Sequence, residues 1–99
     1  MDGALELEGE RHNGTTVVTA AGEIDMATAP KLRECLETTE GNVVVDLRAV
    51  SFLDSSGIGV FVDAQEHLSE AGGNLVLRKS QAIVRTALEI TGFASWIEA

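Results

Sequence analysis

Apolar residues recur along this chain in two rhythms, compact runs that read as strands and spaced stripes that read as helices. ALELEGERHN and TTVVTAAGEID flank Asn13-Gly14, the turn pair of a two-residue hairpin, so the chain is predicted to open with two antiparallel strands. Asp25 or Thr28 then opens a helix, because either side-chain oxygen can accept from an unpaired N–H. Pro30 falls in its first turn, where a missing N–H costs little. Leu32, Cys35, Leu36 and Thr39 follow helical spacing up to the break at Gly41-Asn42. NVVVDLRAV carries the three consecutive valines expected of a strand buried on both faces or set centrally in a sheet.

Phe52 and Leu53 lead into Asp54-Ser55-Ser56-Gly57. In the segment IGVFVDAQEHLSEAGG that follows, Ile58, Phe61, Val62 and Leu68 form a helical stripe, with Asp63, Glu66 and Glu70 largely off it. Gly72-Gly73 stops that helix. NLVLRK reads as a short strand. Ser80 is expected to cap a third helix, with Ile83, Val84, Ala87 and Leu88 facing inward and Gly92 at its end, and FASWIEA can add a short last strand. Alternation of strands and helices favours parallel pairing with right-handed crossovers, and the opening hairpin makes the sheet mixed. The predicted fold is a single α/β domain over residues 1–99, with a mixed central β-sheet of about five strands and three or more helices.

Length and composition fit that picture and narrow the chemistry. Ninety-nine residues make one domain with a modest core, so a deep substrate cavity is not expected. The hydrophobic fraction of 44% suits a globular chain rather than a disordered one. Sixteen acidic residues against seven basic ones give a net charge of −9, which argues against nonspecific binding to nucleic acid or anionic membranes. A single cysteine, Cys35, excludes a disulfide within the chain. The acidic start MDGALELEGE lacks the basic and apolar regions of a signal peptide. No apolar run approaches the roughly 20 residues that span a bilayer. The expected location is the cytoplasm.

Asp54-Ser55-Ser56-Gly57, with Ile58 and Gly59 after it, admits three readings. It can be the N-cap of a helix, where Asp or Ser accepts from an unpaired N–H and the two glycines permit a tight junction. That accounts for one capping residue but requires neither two hydroxyls nor two glycines. Ile58 and Gly59, not Glu or Gln, stand three residues after the serines, so no capping box forms. It can be a nucleophile, but Ser needs a base within reach. His67 lies 12 residues beyond Ser55, roughly 18 Å along a continuous helix at ~1.5 Å per residue. His12 sits in the hairpin turn. Neither G-x-S-x-G nor a Walker pattern is present, no metal-binding cluster is recognisable, and Cys35 on an apolar helical face reads as packing. Third, it can be a modification site. A serine at a helix start is exposed, free N–H groups beside it can receive phosphate oxygens, and a phosphate adds about −1.5 to −2 charges.

VVVDLRAVSFLDSSGIGVFVDA, with GEIDMATAPKL upstream, resembles the STAS-domain anti-sigma factor antagonists of bacteria over essentially the whole chain. The resemblance implies a protein that is not an enzyme and needs no cofactor or metal. Its unphosphorylated form binds an anti-sigma factor that is also a serine kinase and so frees a sigma factor. It further implies that the kinase uses ATP to phosphorylate Ser55, weakening binding, and that a phosphoserine phosphatase reverses this. Asp25, Asp54, Ser55, Ser56 and Gly57 are then the expected partner-binding residues, and for Asp25 helix capping can coexist with that role. Neither direct nucleic-acid contact nor membrane association is expected. The alternatives are a STAS subunit regulating a transporter, of the lipid-transport ATPase or anion-transporter type, and a scaffold in a larger stress-sensing assembly. Relatives often continue past the last strand into another helix; without it, Phe93 and Trp96 are expected to be partly uncovered.

Overall fold

The computed structural model describes residues 5–90 and 97–98. Its hairpin turns at Asn13 and Gly14, whose φ angles of 52° and 83° are the paired positive values that such a turn demands. Strands β1 (Leu5–His12) and β2 (Thr15–Ile24) therefore run antiparallel, in register from His12 opposite Thr15 to Leu5 opposite Gly22. Helix α1 (Ala29–Glu37) carries the chain over to β3 (Asn42–Leu53), which lies parallel to β2. Helix α2 (Ser55–Glu70) returns it to β4 (Asn74–Arg78), parallel to β3. After α3 (Ala82–Ile90), a two-residue strand β5 (Ile97–Glu98) pairs parallel to β4. Sheet order is β1-β2-β3-β4-β5, the mixed sheet that the alternation predicts.

Register explains the core. Val18, Val45 and Leu77 are neighbours across three strands and are all buried, together with Leu32, Leu36, Phe61 and Leu68 of the helices. The next row over, Val17, Val44 and Val76, points to the opposite face and is half-buried. The valine run is thus central in the sheet without being fully buried on both faces. At the end of α2, Gly72 takes φ 87°, Gly73 N–H donates to Leu68 O (2.7 Å) and Gly72 N–H to Ser69 O (3.1 Å). That bond pattern is a Schellman stop, as Gly72-Gly73 foretells.

Three expectations are corrected. Strand β3 runs on through Phe52 and Leu53, past Val50, because β2 continues beside it as far as Ile24 across two register shifts. Ser80 does not cap α3: its Oγ is buried without a hydrogen-bond partner among the described residues, and the first helical bond goes from Arg85 N–H to Gln81 O. Ile83 is 63% exposed rather than inward, leaving Val84 and Leu88 as the buried residues of α3. Strand β4 ends opposite Asp46, so on that side, away from β2, Leu47–Leu53 of β3 has no strand beside it among the described residues. Gln81 Nε2 donates to Arg48 O along this open edge (2.8 Å), so α3 meets β3 through a narrow stripe. Gly92, Phe93 and Trp96 lie outside the described residues.

Candidate functional site

Strands β2 and β3 end side by side, Ile24 opposite Leu53, and the next residue of each is an aspartate. Asp54 N–H donates to Ile24 O (3.1 Å), tying the two ends together. Register alone therefore brings the two acidic candidates, Asp25 and Asp54, to one edge of the sheet, 29 positions apart in sequence.

Each carboxylate spends one oxygen on its own backbone. Asp25 Oδ1 accepts from Ala27 N–H and Thr28 N–H, both at 3.0 Å. Thr28 is the N-cap of α1 but makes no side-chain bond to the helix; its Oγ1 accepts from Asp25 N–H (2.9 Å) and donates to Glu23 O (2.8 Å). Both capping candidates thus hold the turn, Asp25 from outside and the buried Thr28 from within. Asp54 has extended backbone and is the N-cap of α2; its Oδ1 accepts from Ser56 N–H (2.9 Å) and Gly57 N–H (3.4 Å). Neither aspartate's Oδ2 has a hydrogen-bond partner among the described residues, which leaves two carboxylate oxygens for solvent or a partner.

Ser55 is the first residue of α2 and is exposed, with no hydrogen bond to its hydroxyl among the described residues. The capping question is settled in favour of Asp54. That choice corrects a further expectation: the N–H groups of Ser56 and Gly57 already belong to Asp54, so an anion on Ser55 finds only the Ser55 N–H open in the first turn. Ser56 is half-buried and turned toward the groove between α1 and α2, beside Met26, Arg33 and Val60. Gly57 is buried under the helix start. A Cβ there would lie 2.4 Å from Ile24 Cγ2 and 2.5 Å from Leu53 Cδ1, so only glycine lets α2 close onto the strand ends. Gly57 positions the serines from below.

The histidines stand apart from Ser55. Helix α2 is continuous to Glu70, which keeps His67 about 18 Å away along its axis. His12 ends β1 and bonds to Glu10 (3.1 Å), at the opposite end of the ten-residue β2 from Asp25, some ~30 Å off. Among the described residues no group of three or more His, Cys, Asp or Glu could hold a metal ion. Cys35 is half-buried on α1 and desolvation pushes its thiol pKa up, the reverse of an activated nucleophile.

The STAS domain profile matches residues 6–99. An anti-sigma-B factor antagonist of Listeria monocytogenes is 40% identical over 102 residues, spanning 99% of this chain and 89% of its own length. The chain belongs to the STAS-domain anti-sigma factor antagonist family. The anti-sigma-B factor antagonist of Bacillus subtilis is 33% identical over 98 residues, covering 95% of this chain and 89% of that one. Among solved structures, the anti-sigma factor antagonist SpoIIAA in its unphosphorylated form superposes with a TM-score of 0.84, covering 94% of this chain and 86% of that chain. At 22% identity that likeness speaks for the fold.

In this STAS domain one surface residue escaped the sequence reading. Met26 follows Asp25 and is 77% exposed at the mouth of the α1–α2 groove, beside Ser56. Its thioether is the largest apolar group exposed beside Ser56 and follows directly on Asp25. Its only signal in sequence is an apolar residue stranded between an aspartate and a helix start.

Proposed function

We propose that this STAS domain, as an anti-sigma factor antagonist, works by partner switching at Ser55. Unphosphorylated, it binds an anti-sigma factor that is also a serine kinase, so that the sigma factor is released. Phosphorylation of Ser55 weakens that binding, and a phosphoserine phosphatase restores it. Asp25, Asp54, Ser55 and Ser56 form the partner face, with Gly57 beneath them. The observation that carries the reading is the state of Ser55: an exposed hydroxyl with no hydrogen bond among the described residues, at a capped helix start on the sheet edge where Asp25 and Asp54 each keep one carboxylate oxygen open. The protein is thus a binding protein that enzymes act on, and the reading assigns it to the cytoplasm. No described helix is long and apolar enough to cross a membrane. The names of its relatives favour this role over that of a transporter subunit.

The test is incubation with ATP and the candidate kinase, followed by peptide mapping in a mass spectrometer. Phosphate is expected on Ser55. Ser55→Ala should still bind the anti-sigma factor and Ser55→Asp should bind more weakly. An active kinase that leaves Ser55 unmodified, or equal affinity of the two variants, refutes the proposal.

A further inference from the structure

Two glycines follow the serines, and the structure gives a reason for only one. A side chain at Gly57 collides with Ile24 and Leu53. At Gly59 an added Cβ meets nothing within 4 Å among the described residues. Gly59 is the fifth residue of a 16-residue helix, where glycine is less favourable than alanine because it leaves the backbone freer when unfolded and has no side chain to shield it. Internal packing therefore does not account for a residue that weakens α2.

Its position does. Gly59 lies four residues after Ser55, one turn on and on the same face. Helical side chains lean toward the N-terminus and cover the turn before their own Cα. Any side chain at 59 would therefore lie across the approach to Ser55. We infer that Gly59 is the clearance residue for the phosphorylating enzyme, whose active-site wall seats on the bare backbone of this turn to bring ATP to Ser55. The inference rests on Ser55 being the phosphoacceptor. In that reaction the Ser55 oxygen forms a bond to the γ-phosphorus of ATP, the bond to ADP breaks, and the hydroxyl proton passes to a base of the kinase. The reacting atoms must come within about 3–3.5 Å of each other, a distance that leaves no room for a side chain between the two proteins. Gly59 acts here as a positioning residue, since it touches the enzyme and not the phosphate.

The test uses the serine kinase that modifies wild-type protein, with Gly59→Ala, Gly59→Leu and, as a control for bulk on the same face three turns from Ser55, Glu66→Leu. Gly59→Ala should melt at or above the wild-type temperature. Its kcat/KM for phosphorylation should nonetheless fall about tenfold, and that of Gly59→Leu about a hundredfold, the scale of loss that an ångström of misplacement causes, carried mainly by KM because the added side chain obstructs seating of the enzyme before chemistry begins. Glu66→Leu should be phosphorylated at the wild-type rate. Gly59 variants that are phosphorylated as fast as wild type overturn the inference. If Gly59→Leu fails to fold, a thermally intact Gly59→Ala with unchanged KM overturns it equally. Wild-type protein left unmodified at Ser55 defeats the phosphoacceptor reading itself, and this inference with it.

Discussion

Replacing Asp54 separates the two things its carboxylate does. Its Oδ1 accepts from Ser56 N–H and Gly57 N–H, and its charge sits at the positive end of a 16-residue helix. Asp54→Ala removes both effects. Loss of such a cap typically costs about 1 kcal/mol, within a range of about 0.5–2. A mid-range value fits this site, because the 3.4 Å bond is long and the exposed helix start lets water replace part of what is lost. For a domain of this size about 1 kcal/mol lowers Tm by roughly 4–8 °C. Asp54→Asn keeps the acceptor and loses only the interaction of the charge with the helix end, about 0.3–1 kcal/mol at low salt.

Thermal unfolding followed by circular dichroism, at low salt and again near ~1 M salt, distinguishes the contributions. At low salt the order of stability should be wild type, then Asp54→Asn, then Asp54→Ala. At high salt, where the Debye length shrinks to about 3 Å, the Asn variant should move toward wild type while the Ala variant stays low. An Ala variant as stable as wild type would show that Asp54 does not hold the start of α2. An Asn variant as unstable as the Ala variant at both salt concentrations would refute the division into cap and charge.

The remaining predictions concern packing, a thiol and an ion pair. Gly57→Ala forces a methyl into Ile24 and Leu53 and should destabilise by about 1–3 kcal/mol; an unchanged urea midpoint would show that the strand ends yield. Cys35 should react with a thiol reagent near pH 8 more slowly in the native protein than in urea, because burial raises its pKa. The same shift means that the folded state binds the Cys35 proton more tightly than the unfolded one. That contribution is intact below the ordinary thiol pKa of about 8.5, begins to be lost above it and is gone once pH has risen through the raised pKa of the folded protein, so Cys35→Ala should flatten the alkaline fall in stability. Arg33→Ala breaks an exposed bond to Asp63 (2.7 Å) between α1 and α2 and should cost no more than about 1 kcal/mol, less in high salt.

Local chemistry was legible wherever a single residue type has one structural use. Asn13-Gly14 demanded a hairpin and Gly72-Gly73 a helix stop, and both stand where the sequence put them; the cap that sequence left between Asp54 and Ser55 falls to Asp54. Interpretation failed where tertiary neighbours decide. Ile83 belongs to a four-residue apolar stripe with Val84, Ala87 and Leu88, but α3 faces a strand edge and buries only Val84 and Leu88 fully. The end of β3 was set by the length of β2, which no feature of AVSFL announces. Asp25 and Thr28 could not be ranked from sequence because each carries an oxygen suited to the same N–H groups. The fold gives Asp25 the turn and makes Thr28 a buried link to Glu23. For Ser55, sequence already expected an exposed hydroxyl at the helix start, whereas one fact comes only from the fold: Asp54 has already taken the N–H groups of Ser56 and Gly57.

That last fact decides how a phosphate here would act. Had the N–H groups of Ser56 and Gly57 been free, the added anion could fold back onto its own helix and be largely neutralised there. With those donors occupied, it stays directed outward beside Asp54. Two charges facing one at a separation of ~6 Å repel by about 1.4 kcal/mol in water, close to the 0.3–1 kcal/mol per charge that a helix N-terminus returns. The domain therefore keeps its fold. Inside a protein interface, at an effective dielectric constant near 20, the same repulsion would rise to about 5–6 kcal/mol, about 4 kcal/mol more than in the free protein and so about three orders of magnitude in Kd. A modification at Ser55 that the isolated domain scarcely feels would thus be enough to expel a bound partner without any rearrangement of β2, β3 or α2.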